Sequence, residues 1–346
     1  MEELEIGTEK RILLLTTYKY PGGGGLSTYM EQVKLGLTSQ DHKVSSLSFN
    51  TLPSFFNKFL RFIFAFKNIM FPFFFRLFLF FQMLFFKITL IMRYLKEKWN
   101  IIHAQDPLAV VYSKILKKRF KIPLIFTMHG FFVQETLLYF KKQAKSSIYN
   151  ILTSLEKEAI AISTSIIAVE KLRFAYISKI RAKNVHVMGN FIHTGMFKNK
   201  KLTKNYFKEL FPQFKDDFII ITPKRLTKQA NIQFLNEIAL QLLIKNRNIH
   251  FFILGAGPEE KNINNFINKN KLENIIQILK PIPHEKMPLI YNSANAVIIP
   301  SKKEEGVVEG SSYAVLEAMA CEKPVLLSNI PPFQSIITPG QNGILP

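Results

Sequence analysis

Residues 11–16, Arg11-Ile12-Leu13-Leu14-Leu15-Thr16, lead through Tyr20-Pro21 into Gly22-Gly23-Gly24-Gly25. Four consecutive aliphatic residues without polar alternation describe a strand buried on both faces. Glycines directly behind it allow positive φ and close backbone approach, and a helix starts near Leu26 or Ser27. The pattern continues outward: further apolar strands fall at 44–49, 101–104, 123–128, 165–169 and 185–188, with a helix at 108–118. It then restarts, with strands at 218–222, 250–254, 274–279, 295–300 and 324–328 and a helix at 232–244. Apolar strands alternating with helices indicate parallel sheets covered on both sides. The fold class is therefore α/β, with two doubly wound Rossmann-like domains, about 1–195 and 200–346. The Lys-rich stretch 198–208 reads as a linker. In such sheets ligands bind beyond the carboxyl ends of the strands.

Composition narrows the partners. The 346 residues carry a net charge of +21, and 48% are apolar; this is enough for full cores. A basic surface meets phosphate in nucleic acid, anionic lipid or phosphorylated metabolites, or else reflects a Lys-rich background. Cys321 is the only cysteine, so no intrachain disulfide forms. Residues 1–10 show no charged-then-apolar leader. No Walker-A or Gly-x-Ser-x-Gly motif is present, and no His/Cys/Asp spacing suits a metal.

Residues 53–98 are rich in phenylalanine, most densely from Phe71 to Phe81. A membrane span needs about 20 apolar residues, whereas Arg76 and Lys87 bracket an uncharged run of 77–86 only. These two cations lie about three helical turns apart and share a face. Lys58, Arg61, Lys67, Arg93, Lys96 and Lys98 add charge, and Glu97 is the only acid. Two readings follow: a basic amphipathic helix in the interface of an anionic membrane, or a helix pair buried in the first domain.

Four places carry candidate chemistry. The glycine run after the first strand is a ligand loop or a flexible turn, and its spacing is not G-x-G-x-x-G. Pro223-Lys224-Arg225-Leu226-Thr227-Lys228 puts cations at a strand's carboxyl end, where arginine suits phosphate oxygens; otherwise it is a solvated turn. Glu309-Gly310-Ser311-Ser312-Tyr313-Ala314-Val315-Leu316-Glu317 puts two carboxylates around the start of an apolar helix. A helix N-terminus offers free N–H groups to phosphate. His129 follows a buried strand and is functional or structural. His103, His186, His193 and His284 have weaker contexts and receive no role.

With these residues quoted, the sequence resembles the family-4 retaining glycosyltransferases of GT-B fold over nearly its whole length. Glu309 to Glu317 matches the E-x7-E motif, followed by Ala318-Met319-Ala320-Cys321-Glu322-Lys323-Pro324-Val325. Leu254-Gly255-Ala256-Gly257-Pro258, Pro283-His284-Glu285-Lys286-Met287-Pro288, Ile102-His103-Ala104, Thr127-Met128-His129-Gly130 and Gly189-Asn190 follow the family order.

The resemblance implies an N-terminal domain for the acceptor, a C-terminal domain for the nucleotide sugar, and a cleft between them. It implies catalytic roles for Glu309 on the transferred sugar, His129 near the reacting carbon and Arg225 on the leaving diphosphate. It assigns donor contacts to Glu317 (ribose), Lys228, Gly23, Gly24, Ser311 and Ser312. No metal is required, and the donor is a UDP- or GDP-sugar. The expected activity is hexosyl transfer with retention, onto a lipid-linked or cell-envelope glycan. The protein is then cytoplasmic and peripheral on the inner face of the cell membrane, with an anionic membrane surface as partner and no nucleic acid. The alternatives are a nucleotide-sugar epimerase or a truncated, non-catalytic sugar-nucleotide- or lipid-binding protein.

Three departures stand out. Gln229 and Ala230 occupy the positions where the family carries a lysine after the arginine, and Lys228 comes early. Gly310-Ser311-Ser312 replaces Gly-Phe-Gly. The sequence stops at Pro346, ahead of further family helices, so a truncated second domain is expected.

Overall fold

The computed structural model describes residues 9–345 except 23, 66–72, 138–141, 182, 203–204, 215, 245–247 and 305–311, with backbone alone at 63–65, 142–147 and 243–244. The chain divides into two compact units, Met1–Gly189 and Asn190–Pro346.

The first unit runs β1 (Arg11–Leu15), α1 (Gly25–Thr38), β2 (Lys43–Leu47), α2 (Ser54–Ala65), α3 (Phe73–Glu97), β3 (Ile101–Ala104), α4 (Pro107–Phe120), β4 (Leu124–Met128), α5 (Phe132–Leu137), α6 (Lys142–Ile162), β5 (Ser165–Ala168), α7 (Lys171–Ser178) and β6 (Val185–Val187). Its strands lie in the order β2-β1-β3-β4-β5-β6, all parallel. Leu13, Leu14 and Leu15 have no exposure, as a strand covered on both faces requires. Order reverses between β1 and β3, which opens a crevice at their carboxyl ends.

The second unit runs α8 (Tyr206–Leu210), β7 (Phe218–Pro223), α9 (Gln233–Ile244), β8 (Ile249–Leu254), α10 (Glu260–Lys269), β9 (Ile276–Leu279), α11 (Met287–Ser293), β10 (Ala296–Ile299), α12 (Tyr313–Ala320), β11 (Val325–Leu327) and α13 (Pro331–Gln334). Its order is β11-β10-β7-β8-β9, again parallel. Successive side chains leave opposite faces of a strand. Ile219 and Ile221 accordingly join one core with Phe252 and Val297, and Ile220 joins the other with Phe251 and Ile298. The reversal falls between β7 and β10. Each expected strand is present, with ends displaced by at most two residues.

The linker expectation is corrected. The division falls at Gly189–Asn190, and Phe197, with no exposure, already belongs to the second core. Asn205 caps α8 by accepting from Phe207 N and Lys208 N, and the Phe207 ring stacks 4.5 Å from Phe252. Two phenylalanines among the lysines anchor the stretch, because burying one side chain of this size contributes about 1.5–3 kcal/mol.

The phenylalanine-rich segment forms α2 and α3, and Phe71 and Pro72 lie outside the described residues. Phe56 stacks on Phe85 at 4.0 Å. Gln82 accepts from Tyr112 Oη at 3.0 Å, joining α3 to α4, and Arg93 Nη1 donates to Ser46 O at 2.8 Å. By length and composition α3 is apolar enough to cross a membrane, but one face lies in the core, with Phe86 and Leu90 fully buried.

Replacing Phe207 by Ala is expected to destabilise the second unit by about 3–5 kcal/mol in denaturant unfolding, whereas a linker residue changes stability by about 0.5 kcal/mol at most.

Candidate functional site

Each unit presents candidate side chains at the carboxyl ends of its strands. In the first unit, Asp106 follows β3 and is almost fully buried. Its Oδ2 accepts from Thr16 Oγ1 (2.9 Å) and Thr17 N (2.7 Å), and its Oδ1 from Thr17 Oγ1 (2.9 Å) and Ala109 N (2.9 Å). It thereby caps α4 and fixes the exit from β1. Burial raises its pKa, and these bonds oppose the rise.

Beside it, Gln105 Nε2 donates to His103 O at 3.4 Å, which turns Gln105 Oε1 toward His129 Nε2 at 2.9 Å. An amide oxygen only accepts, so His129 carries its proton on Nε2 and keeps a lone pair on Nδ1. The Tyr29 ring packs edge-on at 4.6 Å from His129. Burial, then His103 and Arg173, lower the His129 pKa to about 3. His103 Nε2 lies 2.7 Å from Thr127 Oγ1, and burial lowers its pKa to about 4. Both imidazoles are therefore neutral near pH 7. Gly24 stands at the start of α1 with φ of 102° and open space where a Cβ would be. Only glycine is comfortable there.

In the second unit, Arg225 and Lys228 are exposed on the loop after β7, at the reversal point of the sheet. Neighbouring backbone pins this loop. Lys224 N donates to Leu254 O (3.1 Å), Leu226 N to Ala256 O (3.1 Å), and Lys302 N, after β10, to Gln229 O (2.9 Å). A Cβ at Gly255 would stand 2.0 Å from Lys224 O, and one at Gly257 2.2 Å from Leu226 O. Glycine at both positions is what lets the two loops lie against each other.

Glu317 projects from α12 and is 5% exposed. Its Oε1 accepts from His284 Nε2 at 2.8 Å and its Oε2 from Tyr291 Oη at 2.8 Å. The hydrogen bond to Glu317 raises the His284 pKa against the effect of burial. The carboxylate thus joins α12 to α11 and to the single turn His284–Lys286 before it. Ser312 sits at the N-cap of α12, its side chain bonding no cap N–H. Gly23, Glu309 and Ser311 lie outside the described residues. Among the described residues, no three His, Cys, Asp or Glu side chains gather as metal ligands.

Sequence reasoning missed His284, Tyr291 and Gln105. His284 is 33 positions from Glu317 and Tyr291 is 26, so no local pattern joins them. Gln105 was legible only as a neighbour of Ile102-His103-Ala104.

The family model "Glycosyltransferase Family 4" matches residues 23–195, and "Glycosyl transferases group 1" matches 204–345. An uncharacterized glycosyltransferase of Methanocaldococcus jannaschii, MJ1178, is 26% identical over 67% of this chain and 56% of its own. The capsular polysaccharide biosynthesis glycosyltransferase CapM of Staphylococcus aureus is 27% identical over 75% of this chain and 66% of its own. The chain thus spans less than two thirds of either relative's length. Among solved structures, Anabaena HepE in complex with UDP and glucose covers 97% of this chain and 85% of its own, with TM-score 0.68 and 15% identity. Sucrose-phosphate synthase of Thermosynechococcus elongatus covers 97% and 86%, with TM-score 0.69 and 16% identity.

Glu317→Ala is expected to cost about 2–4 kcal/mol, by stranding the buried Tyr291 hydroxyl and opening a cavity. Glu317→Gln keeps an acceptor, costs less, and lowers the His284 pKa; denaturant unfolding and an NMR titration of His284 measure these.

His103 has a folded pKa below its unfolded value, so its contribution is present above about pH 6.5 and is lost as pH falls toward about 4. In that window the wild type is expected to lose up to about 1.4 kcal/mol per pH unit relative to His103→Gln, read from paired unfolding curves.

Proposed function

Because the chain belongs to Glycosyltransferase Family 4 and has the two-domain GT-B fold, we propose that it transfers a hexose from a nucleotide-sugar donor to a lipid-linked or cell-envelope glycan acceptor, with retention. The acceptor belongs to the first unit and the donor to the second, at the inner face of the cell membrane. The observation that carries the donor half is the position of Arg225 and Lys228. Both cations are exposed on a pinned loop at the reversal point of the second sheet, where open α/β sheets bind ligands. HepE was solved with UDP and with UDP-glucose, which supports a UDP-sugar as donor.

Departure of the diphosphate builds negative charge on its oxygens. Arg225 meets those oxygens in bidentate fashion and Lys228 adds a point charge. A loop held before the reaction gives this stabilisation without reorganisation. Glu317, already bonded by His284 and Tyr291, keeps one lone pair on each oxygen for ribose hydroxyls. Glu309 contacts the transferred sugar, and Ser311 and Ser312 serve as donor contacts, Ser312 from the N-cap of α12. Gly23 and Gly24 are the donor contacts assigned to the first unit, where the positive φ of Gly24 and the open space beside it suit close backbone approach to a ligand. His129, neutral and with Nδ1 unprotonated, accepts a hydroxyl proton's hydrogen bond near the reacting carbon. A neutral ring also avoids repelling the positive charge that develops on the sugar.

UDP-sugars are expected to raise the melting temperature of the protein. Arg225→Ala, an exposed change with little effect on stability, weakens donor binding about tenfold to a hundredfold, as loss of charge-assisted hydrogen bonds does. Glu317→Gln is the matching donor variant, because Glu317→Ala perturbs the fold. Tight DNA binding with no response to any UDP-, GDP- or ADP-sugar would overturn the reading. Nucleotide released only when a lipid acceptor is added distinguishes transfer from epimerisation.

A further inference from the structure

Helix α3 is apolar on two opposite sides. Phe75, Phe85, Phe86 and Leu90 face inward and are buried. Phe73, Phe80, Leu84, Ile88 and Leu95 are between 38% and 58% exposed. They recur every four or seven positions, so they form one stripe along the outer side. An ordinary surface helix of a soluble domain carries polar residues there. A stripe of this extent marks an interaction surface.

A cationic hollow lies beside the stripe. Lys87 of α3 and Lys114, Ile115, Lys118 and Arg119 of α4 line a cavity of about 380 Å³, and none of its lining residues is acidic. Lys114 Nζ bonds Glu158 Oε1 of α6. Lys87, Lys118 and Arg119 form no ion pair among the described residues. Ile115, 37% exposed, continues the apolar surface into the hollow.

We propose that the stripe and the hollow form one membrane-docking face. The stripe enters the acyl boundary of a bilayer while the hollow holds the headgroup phosphate of an anionic lipid. Charge complementarity selects this occupant. Apolar side chains beside a cluster of cations match the layered chemistry of an anionic leaflet, with phosphate above hydrocarbon. A second copy of the chain fits worse, because closing two stripes against each other brings like charges together. A transmembrane course is excluded by packing, since the inward face of α3 belongs to the protein core. The helix therefore lies along the membrane plane. This face supplies a site for the membrane half of the proposed function and is independent of the donor half.

The test is sedimentation of the full chain with vesicles of phosphatidylcholine alone or mixed with phosphatidylglycerol. Binding is expected only with the mixture. Lys118→Ser combined with Arg119→Ser is expected to weaken it about thirtyfold, at roughly one surface cation's attraction each. Phe80→Ser combined with Ile88→Ser abolishes it. Circular dichroism and the UDP-sugar melting shift, measured on the same preparations, stay at wild-type values, so a lost donor site is not mistaken for a lost membrane site. Equal binding to both vesicle types, no binding to either, or a phosphatidylglycerol effect untouched by the Lys118 and Arg119 pair would each overturn the proposal. So would a stripe-dependent dimer in solution, or full competition by inorganic phosphate that leaves the Phe80 and Ile88 pair without effect.

Discussion

Four donors converge on the carboxylate of Asp106: Thr16 Oγ1, Thr17 N, Thr17 Oγ1 and Ala109 N. A buried carboxylate is costly unless its lone pairs are filled, and here the donors come from the end of β1 and the start of α4. The bond set therefore holds the crevice between β1 and β3 to one geometry. Gln105 precedes Asp106 and inherits that fixed backbone, so its amide can orient His129. The loop from β1 toward the glycine run starts from the same clamp. The chemistry available in the first unit depends on this one satisfied charge.

The second unit solves the same problem with backbone rather than charge. Gly255 and Gly257 admit the carbonyls of Lys224 and Leu226 at distances that no Cβ permits. The cationic loop after β7 is thereby fixed, while Arg225 and Lys228 remain in solvent. In the same unit, Glu317 reverses the arrangement. Its charge is buried, and His284 and Tyr291 bring donors to it. One unit thus offers exposed cations and a shielded carboxylate, which the proposed donor reading assigns to phosphate oxygens and to ribose hydroxyls respectively. The excess positive charge of the chain is also divided in space. Some lies at the sheet reversal and some in the hollow between α3 and α4.

Much of the fold was legible because the cause was local. Runs such as Ile12-Leu13-Leu14-Leu15 and Val297-Ile298-Ile299 mark buried parallel strands, and the carboxyl ends of the strands expected at 123–128 and 218–222 located the loops of His129 and Arg225. Anchoring at 198–208 was not legible. Lys198, Lys200, Lys201 and Lys204 dominate the composition of that stretch, whereas Phe197 and Phe207 decide its packing. Local charge suggested a solvated linker, and the stacking of Phe207 on Phe252 overrode it. The phenylalanine-rich segment divided in the same way. Its composition showed apolar helix with cations, and only packing showed which side is core.

The amino-acid sequence by itself determined the order of strands and helices and the residue types at each strand end. Those are properties of neighbours along the chain, governed by periodicity, φ preference and charge. Tertiary structure alone decided which distant groups meet: His284 and Tyr291 on Glu317, Gln105 on His129, and Lys87 beside Lys118 and Arg119. The reason is that a hydrogen bond or a shared cavity depends on separation in space. A parallel sheet brings together residues that the intervening helices keep far apart in sequence.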